Sequence, residues 1–497
     1  MIGLTEFRRS LATPNLIEDL RHGLIGDNIT LPTAFGPKTL LYADYVASGR
    51  ALRQVETFVL DNILPYYANA HTEASFCGAY MTRLREDARR TIAELVNAGP
   101  DCHVIFAGSG ATAGFNKIVR LLEISERVVA GERIVVLIGP YEHHSNILPW
   151  RESGADVVEV PERADGGFDL GALEDALRAA AGADLVIGSF SAASNVTGII
   201  TDPDPVTRML KRSGALAIWD YACAAPYLPM NMTPAADCAK DAIVFSPHKF
   251  PGGPGASGVF VIRDTIVRRM IPTAPGGGSV SFVSPWDHTY SSSVEAREEA
   301  GTPDCIGDIR AALVMLIKEA VGVDAILARD EELRLKALDA WRDVPQIQLL
   351  GQHPAVIALP IFSFQVRDAS GAPFHHQLFT RMLSDIHGIQ VRGGCACAGP
   401  YAHRLLFIDE TTSASLQQKL RAGQETERPG WVRLNLSYLH SDAQVEKIIS
   451  AVSDLARTCS EWQSAYTVDT ATARFRPKGD PSDMTLPAHA DRETLTS

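Results

Sequence analysis

Between residues 104 and 245, short apolar runs alternate with helical stretches, and this alternation constrains the fold more than any other feature of the chain. Runs such as Ile134–Ile138 and Ala242–Phe245 are too short for helices and end at glycine or polar residues. Strands that alternate with helices form a mostly parallel sheet with helices on both faces. Ligands bind such sheets beyond the carboxyl ends of the strands. The runs predicted as strands are 104–106, 134–138, 157–160, 185–189, 216–219 and 242–245.

A lysine follows the last of these runs. Lys249 comes after Ser246 and His248 and just before a glycine-rich turn at residues 251–258. An amine at the exit of a buried strand is partly desolvated, which lowers its pKa and makes it a better nucleophile near neutral pH. The alternative interpretation is a surface lysine before a turn. Ser246 and His248 add donors that suit an anion, so a carbonyl cofactor with a phosphate would use all three side chains. Pyridoxal phosphate (PLP) is the candidate.

Other predicted strands also end in chemically useful residues. The turn Gly108–Thr112 exposes backbone N–H groups at a helix start, which suits a phosphate, although tight turns need glycine for steric reasons alone. Asp220 ends a strand, and a buried carboxylate there needs a positive partner such as a protonated pyridine nitrogen, unless it caps a helix. His143 could stack on an aromatic cofactor ring or be an ordinary hydrogen-bonded histidine.

Bulk properties restrict the partners. A chain of 497 residues is long enough for two or three domains. A net charge of −13 argues against a nucleic-acid or anionic-membrane partner. The sequence has neither a secretory signal at its start nor a run apolar enough to span a bilayer. Eight irregularly spaced cysteines do not resemble a disulfide framework, so we expect a reducing, cytoplasmic setting.

The order of these motifs resembles the class V aminotransferase family of PLP enzymes, in particular its cysteine desulfurase and selenocysteine lyase branch. The resemblance runs from about Tyr42 to about Ser450. Its most specific stretch is Glu142–Trp150. The other matching stretches are Ser194–Gly198, Ser246–Lys249, Gly276–Gly278 and Glu299–Pro303.

The resemblance implies an α/β fold of PLP-dependent transferase fold type I, as in aspartate aminotransferase, with a seven-stranded sheet and a smaller C-terminal α/β domain. We expect residues 1–40 to pack near the small domain. Residues 41–310 would form the large domain and residues 311–465 the small domain. Residues 466–497 read as a disordered tail.

The resemblance also implies residue roles. Lys249 would form the Schiff base with PLP and move the Cα proton, His143 would stack on the ring, and Asp220 would hold the ring nitrogen protonated. Thr302 would reach the phosphate of a second subunit, which implies a homodimer with shared active sites. The remaining cofactor contacts would be Ala111, Thr112, Asn195, Ser246 and His248, and the contacts to an amino-acid substrate would be Arg433, Arg392, Asn195, Asn69 and His71.

The segment Val391–Pro400 contains two cysteines, and the hypothesis that the enzyme removes sulfur from its substrate depends on it. The branch places its nucleophilic cysteine five positions after an arginine, and Cys397 stands in that relation to Arg392. A thiolate near an arginine and a cationic cofactor could attack the sulfur of cysteine and keep it as a persulfide for a sulfur-acceptor protein. Cys395 and Cys397 could also be ordinary loop cysteines. A zinc site is a weaker interpretation, because no second ligand pair stands at suitable spacing.

The sequence departs from the branch at three places that bear on the substrate more than on the cofactor. Cys223 replaces the glutamine usual after the aspartate, the glycine turn after Lys249 is one residue longer, and segment 401–429 is extended. One rival function is therefore an aminotransferase, epimerase or lyase that does not transfer sulfur. A second is a binding or assembly protein without turnover. The presence of Lys249, Asp220, His143 and Arg433 together argues against the second.

Overall fold

The computed structural model describes residues 3–70, 72–368 and 370–478. Its centre is a seven-stranded sheet. The strands are Cys102–Gly108 (β1), Ile134–Ile138 (β2), Asp156–Glu159 (β3), Leu185–Ser191 (β4), Leu216–Asp220 (β5), Ala242–Phe245 (β6) and Gly258–Arg263 (β7). Their order in the sheet is β1-β7-β6-β5-β4-β2-β3. Every neighbouring pair from β6 to β3 is parallel, and only β7 runs against its neighbours.

Both faces of this sheet are buried, because successive side chains of a strand point to opposite faces. In β6, Ile243 and Phe245 join one apolar cluster, and Ala242 and Val244 join the other. The predicted mostly parallel sheet and fold class are therefore confirmed. The helices that accompany the sheet are Phe76–Leu95, Gly110–Leu121, Ile124–Val129, Leu148–Glu152, Leu170–Ala179, Pro203–Arg212, Val294–Glu298 and Cys305–Val321.

A second, antiparallel sheet lies in the C-terminal part of the chain. The strands are Ile347–Leu349 (β8), Ile361–Arg367 (β9), Pro373–Phe374 (β10), Arg392–Gly394 (β11) and Trp431–Asn435 (β12). Their order in the sheet is β8-β9-β12-β11, with β10 paired to β9. The helices of this part are Val323–Trp341, His376–His387, Gly399–Leu405, Glu410–Arg421 and Asp442–Gln463. The last begins with a reciprocal capping box between Ser441 and Gln444.

The N-terminal residues contact both parts. Helices Leu4–Ser10 and Leu16–Gly23 bury apolar residues in the core of the large sheet, and helix Arg53–Phe58 follows. Strand Leu41–Tyr42 pairs in parallel with Ile389–Gln390. Short strands also pair at Thr30–Leu31 with Lys38–Thr39 and at Val280–Val283 with His288–Tyr290.

The C-terminal end differs from its prediction. Residues 466–478 were predicted to belong to a disordered tail, but strands Tyr466–Asp469 and Arg474–Pro477 pair there as a hairpin. The sequence does not show the apolar–polar alternation typical of strands here, because most side chains of the hairpin are exposed and only a few face the protein. Residues 479–497 lie outside the described residues. Among the helices that the structure describes, none combines the length and apolarity needed to cross a membrane.

Candidate active site

A cavity of about 180 Å³ lies where the large sheet meets the loops after β1, β2, β4, β5 and β6. Because parallel strands all end at this edge, side chains from distant parts of the sequence meet here. The lining residues are Ser109, Gly110, Ala111, Thr112, Tyr141, His143, Ser145, Ser191, Ala193, Asn195, Asp220, Ala222, Cys223, Ser246, His248 and Lys249.

Lys249 stands in a tight turn directly after β6. The N–H of Lys249 donates to the Ser246 carbonyl at 3.0 Å, and the N–H of Gly253 donates to the Phe250 carbonyl at 2.9 Å. A Cβ on Gly253 would lie 2.1 Å from the Pro247 carbonyl oxygen, so the turn requires glycine there. Burial lowers the pKa of the Lys249 amine, while the nearby Asp220 carboxylate partly opposes the shift. The site therefore holds a lysine that is easier to deprotonate than a surface lysine.

Asp220, the last residue of β5, is a buried carboxylate. It accepts a hydrogen bond from the Ala222 N–H at 2.7 Å. Burial raises its pKa to about 6, because the charged form loses water. A cationic group bound in the cavity would offset that cost. This geometry suits a protonated heteroaromatic nitrogen.

His143 presents a neutral imidazole to the cavity. The Ser145 N–H donates to its Nδ1 at 3.1 Å, which fixes the ring within the turn that follows β2. Burial lowers the pKa of His143 to about 4, with the Lys249 charge as the next cause. The side chain is therefore uncharged at neutral pH and can stack on a planar ligand.

A buried network holds this turn in place, and sequence reasoning missed it. Glu142 accepts hydrogen bonds from Asn146 and Ser191, both at 2.6 Å, and Trp150 donates to Asn146 at 3.1 Å. Burial raises the pKa of Glu142 to about 7. The hydrogen bonds among residues of the motif Glu142–Trp150 therefore stabilise the turn that carries His143.

The part of the cavity formed by the start of helix Gly110–Leu121, Ser145 and Ser246 is rich in hydrogen-bond donors. The Ala111 N–H, in the first turn of helix Gly110–Leu121, donates to the Ser246 hydroxyl at 3.0 Å. The Thr112 and Ser145 hydroxyls are 2.6 Å apart. Gly110 has a φ of +67°, and a Cβ there would lie 2.9 Å from the His248 ring. The backbone N–H groups at the helix start and the nearby hydroxyls form a cradle suited to phosphate. Glycine at position 110 leaves the space that the His248 ring needs.

Two arginines share one carboxylate at the edge of the second sheet. Arg433 Nη2 donates to Asp44 Oδ1 at 2.9 Å, and Arg392 Nε donates to Asp44 Oδ2 at 3.1 Å. Arg433 also donates to the Asn195 carbonyl at 3.2 Å. Arg433 is only 4% exposed, yet its Nε has no partner among the described residues. Sequence reasoning missed Asp44, whose partner Arg433 is 389 positions away.

The cysteine loop follows β11 and is anchored to the cavity walls by its backbone. The Asn195 side chain donates to the Ala396 carbonyl at 2.8 Å, and the His144 N–H donates to the Cys397 carbonyl at 2.9 Å. Ala396 and Cys397 adopt left-handed φ angles of +53° and +55°. Cys397 is exposed and Cys395 is half-buried. The cavity lining, within the described residues, includes neither thiol.

Eight residues predicted to contact the cofactor therefore line a single cavity. Other predicted site residues lie elsewhere: Asn69 and Thr302 are exposed, and His71 lies outside the described residues. Arg392 and Arg433 meet at Asp44, outside the lining. The eight cavity residues are Ala111, Thr112, His143, Asn195, Asp220, Ser246, His248 and Lys249.

The fold and this cavity define a fold type I PLP-dependent enzyme. The chain belongs to the family Aminotransferase class-V, whose sequence model matches residues 41–423. The chain is 28% identical over 381 residues to a probable cysteine desulfurase of Streptomyces coelicolor, covering 76% of this chain and 87% of that protein. A probable cysteine desulfurase of Staphylococcus aureus is also 28% identical, over 382 residues, with the same two coverages.

Solved structures agree on the fold. A cysteine desulfurase from Thermococcus onnurineus superposes with a TM-score of 0.70 at 22% identity, covering 88% of this chain and 98% of that chain. A cysteine desulfurase from Escherichia coli gives a TM-score of 0.65 at 21% identity, covering 92% and 98%. The core of the fold is thus shared along nearly the whole length of these proteins.

Proposed function

We propose that this enzyme binds pyridoxal phosphate and removes sulfur from L-cysteine, or selenium from selenocysteine, leaving alanine and a persulfide on Cys397. The observation that carries the proposal is the cavity itself. It combines an amine of lowered pKa, a buried carboxylate, a neutral imidazole and a donor-rich cradle, and a cysteine loop is anchored to its walls.

The residues present fit this cofactor. The cradle at Ala111, Thr112, Ser246 and His248 would hold its phosphate, and Asp220 would pair with its ring nitrogen. The Asn195 Oδ1 is buried without a partner among the described residues, so it is available to a bound ligand. When bound, the cofactor supplies an electron sink for charge that develops at the substrate Cα.

The chain's own residues would then divide the remaining work. Arg433 would bind the substrate carboxylate with its buried, unpartnered Nε edge. The Lys249 amine would take the proton from Cα and return it later. The Cys397 thiolate would attack the substrate sulfur, so an S–S bond forms as the Cβ–S bond breaks. Cysteine and the enzyme thiol become alanine and the enzyme persulfide, a balanced exchange without a further oxidant.

The test compares two cysteines of the same loop. Purified enzyme with L-cysteine should form alanine and a persulfide. Cys397→Ser should lose alanine formation and keep the visible absorbance of bound cofactor. Cys395→Ser is the matched control and should retain activity. Equal activity of wild type and Cys397→Ser would refute sulfur transfer through Cys397.

One observation favours a second candidate. Because Cys397 is exposed and outside the described cavity lining, the same site could serve an aminotransferase, epimerase or lyase that uses no thiol. A panel of amino acids would decide. Turnover of a sulfur-free amino acid faster than cysteine, unaffected by Cys397→Ser, would support this candidate.

We also infer a homodimer. Thr302 is exposed and lies outside the cavity lining of its own chain, as expected for a residue that serves a partner's site. The nearby hairpin exposes Phe282 (58%), Val283 (62%) and Trp286 (90%), an apolar surface that a second copy could cover. Light scattering should give twice the chain mass.

All eight cysteines are free thiols, which supports the proposal of a reducing, cytoplasmic setting. A sulfur-acceptor protein would take the sulfur from the persulfide on Cys397 and complete the pathway.

A further inference from the structure

A cleft of about 800 Å³ lies between helix His376–His387 and strand Arg474–Pro477, away from the cavity around Lys249. Its volume is typical of small-molecule sites. The lining is polar and basic, and no acidic side chain belongs to the part of it that the structure describes. The residues that define its chemistry are Gln377, Thr380, Arg381, Gln390, Arg474 and Arg476.

The alternation of the strand explains why two arginines line the cleft. Phe475 packs on the His375 ring, with 4.8 Å between ring centres, and anchors the strand to the small domain. Arg474 and Arg476 flank it, are exposed, and line the cleft together with it. Their spacing therefore presents two guanidinium groups on one side.

The charges of these two arginines are only partly balanced by a neighbour. Within the described ranges, neither Arg474 nor Arg476 forms an ion pair, although the chain carries a net charge of −13. Hydrogen bonds from Thr472 and the Ala471 N–H lower the pKa of the nearby Asp469, and the charge of Arg476 lowers it further. By contrast, Arg381 on the facing helix pairs with Asp385 at 2.7 Å.

Gln377 and Thr380, on the helix side of the cleft, add uncharged polar groups to its lining. The Thr380 Oγ1 itself is buried, has no hydrogen-bond partner among the described residues and lies next to Gly393, because a Cβ built on that glycine would be 2.9 Å from it. Guanidinium groups that share a lining with polar side chains match the oxygens of a phosphate or carboxylate.

We propose that this cleft binds a small anion that carries two or more phosphate or carboxylate groups. The site also adjoins the cysteine loop: Gln377 donates to the Gly393 carbonyl at 3.2 Å, and Gly393 is two residues before Cys395. A ligand that contacts Gln377 would thus contact a residue whose hydrogen bond to Gly393 holds the start of the cysteine loop. The proposal does not depend on the reaction at Lys249.

The test uses the full-length, PLP-loaded protein, so that the cradle for the cofactor phosphate is filled. Pyrophosphate and citrate are titrated separately by calorimetry at low ionic strength. At least one should bind saturably, and the double variant Arg474→Gln/Arg476→Gln should bind about tenfold or more weakly, because charge-assisted hydrogen bonds are lost. Arg212→Gln, at an exposed arginine on helix Pro203–Arg212, is the matched control and should bind as wild type does.

The arms of this experiment separate the two chemistries. Binding of pyrophosphate alone identifies a phosphate ligand, and binding of citrate alone identifies a polycarboxylate. The proposal is overturned if neither probe binds saturably, or if the double variant binds with wild-type affinity. Both arginines are exposed, so circular dichroism should show an unchanged fold in the double variant.

Discussion

The cavity around Lys249 and the rim segment 392–429 are built on different principles. In the cavity, strand ends and a buried hydrogen-bond network hold each group, and burial shifts the pKa values of His143 and Asp220. In the rim segment, Cys397 is exposed, and every residue of helix Glu410–Arg421 is exposed or half-buried. The comparison teaches that the groups of the cavity are fixed by the buried core of the fold, whereas the cysteine and the helix of the rim segment lie at its surface.

The largest expected effect tests the cavity side. Lys249→Ala should lower the turnover of any substrate by about 10³-fold or more, because it removes the group that we propose moves the proton. The visible absorbance of bound cofactor should change as well. Steady-state kinetics and absorbance spectra measure both. The comparison breaks if Lys249→Ala retains activity within a few-fold of wild type.

The junction between the two regions predicts a large loss of stability. Asp44→Asn should lower the free energy of unfolding by about 3 kcal/mol, because Arg433 would keep a buried charge without a counter-ion. Urea denaturation measures this change. Arg392→Gln is the control; it should cost less than about 1 kcal/mol, since the Arg392 side chain is 54% exposed.

The Asp44→Asn variant, compared with wild type, also tests the carboxylate-binding role that we propose for Arg433. L-alanine, which carries the carboxylate without sulfur, should raise the melting temperature of Asp44→Asn more than that of wild type. An equal shift in both proteins would count against Arg433 as the substrate clamp.

A pH-dependent prediction sharpens the cavity side. Burial raises the pKa of Asp220 from 3.8 to about 6, so the folded state favours the protonated form. The resulting cost to stability is absent below pH 3.8, grows from there to about pH 6, and is complete above it. At pH 7, the cofactor-free Asp220→Asn protein should therefore be up to about 3 kcal/mol more stable than wild type.

Denaturation of both cofactor-free proteins across this pH range measures the effect. Added PLP should then stabilise wild type more than Asp220→Asn, since only the carboxylate offsets a ring charge. A stability difference that does not vary with pH would contradict the assignment of the shift to Asp220.

The smallest expected effect tests the rim side. Asp409 caps helix Glu410–Arg421 by accepting from the Thr412 N–H at 2.8 Å. Asp409→Ala should weaken this helix by about 1 kcal/mol. No residue of this helix is buried. Hydrogen exchange of its backbone amides should therefore rise, while the global melting temperature of the protein and its binding of the cofactor stay unchanged. A fall in global stability would show that the rim is coupled to the core.

The sequence predicted the parts that follow from local pattern. The short, mostly apolar runs and the residues after them predicted the sheet and placed eight candidate side chains at one edge, since parallel strands share that edge. It did not predict the Asp44–Arg433 pair, because nothing local links residues so distant. It also missed the hairpin at 466–477, where exposed charges mask the alternation, and the support that Glu142 gives to His143. The roles of the site residues stay predictions.

The contact between Asp44 and Arg433 joins two residues that the ribosome adds at very different times. During synthesis, all seven strands of the large sheet have left the ribosome once residue 263 is free. The Asp44–Arg433 contact, however, must wait for another 170 residues. A nascent chain could thus form the cavity around Lys249 well before Arg433 is available to pair with Asp44, and chaperones would bind a chain whose large sheet is complete and whose second sheet is not.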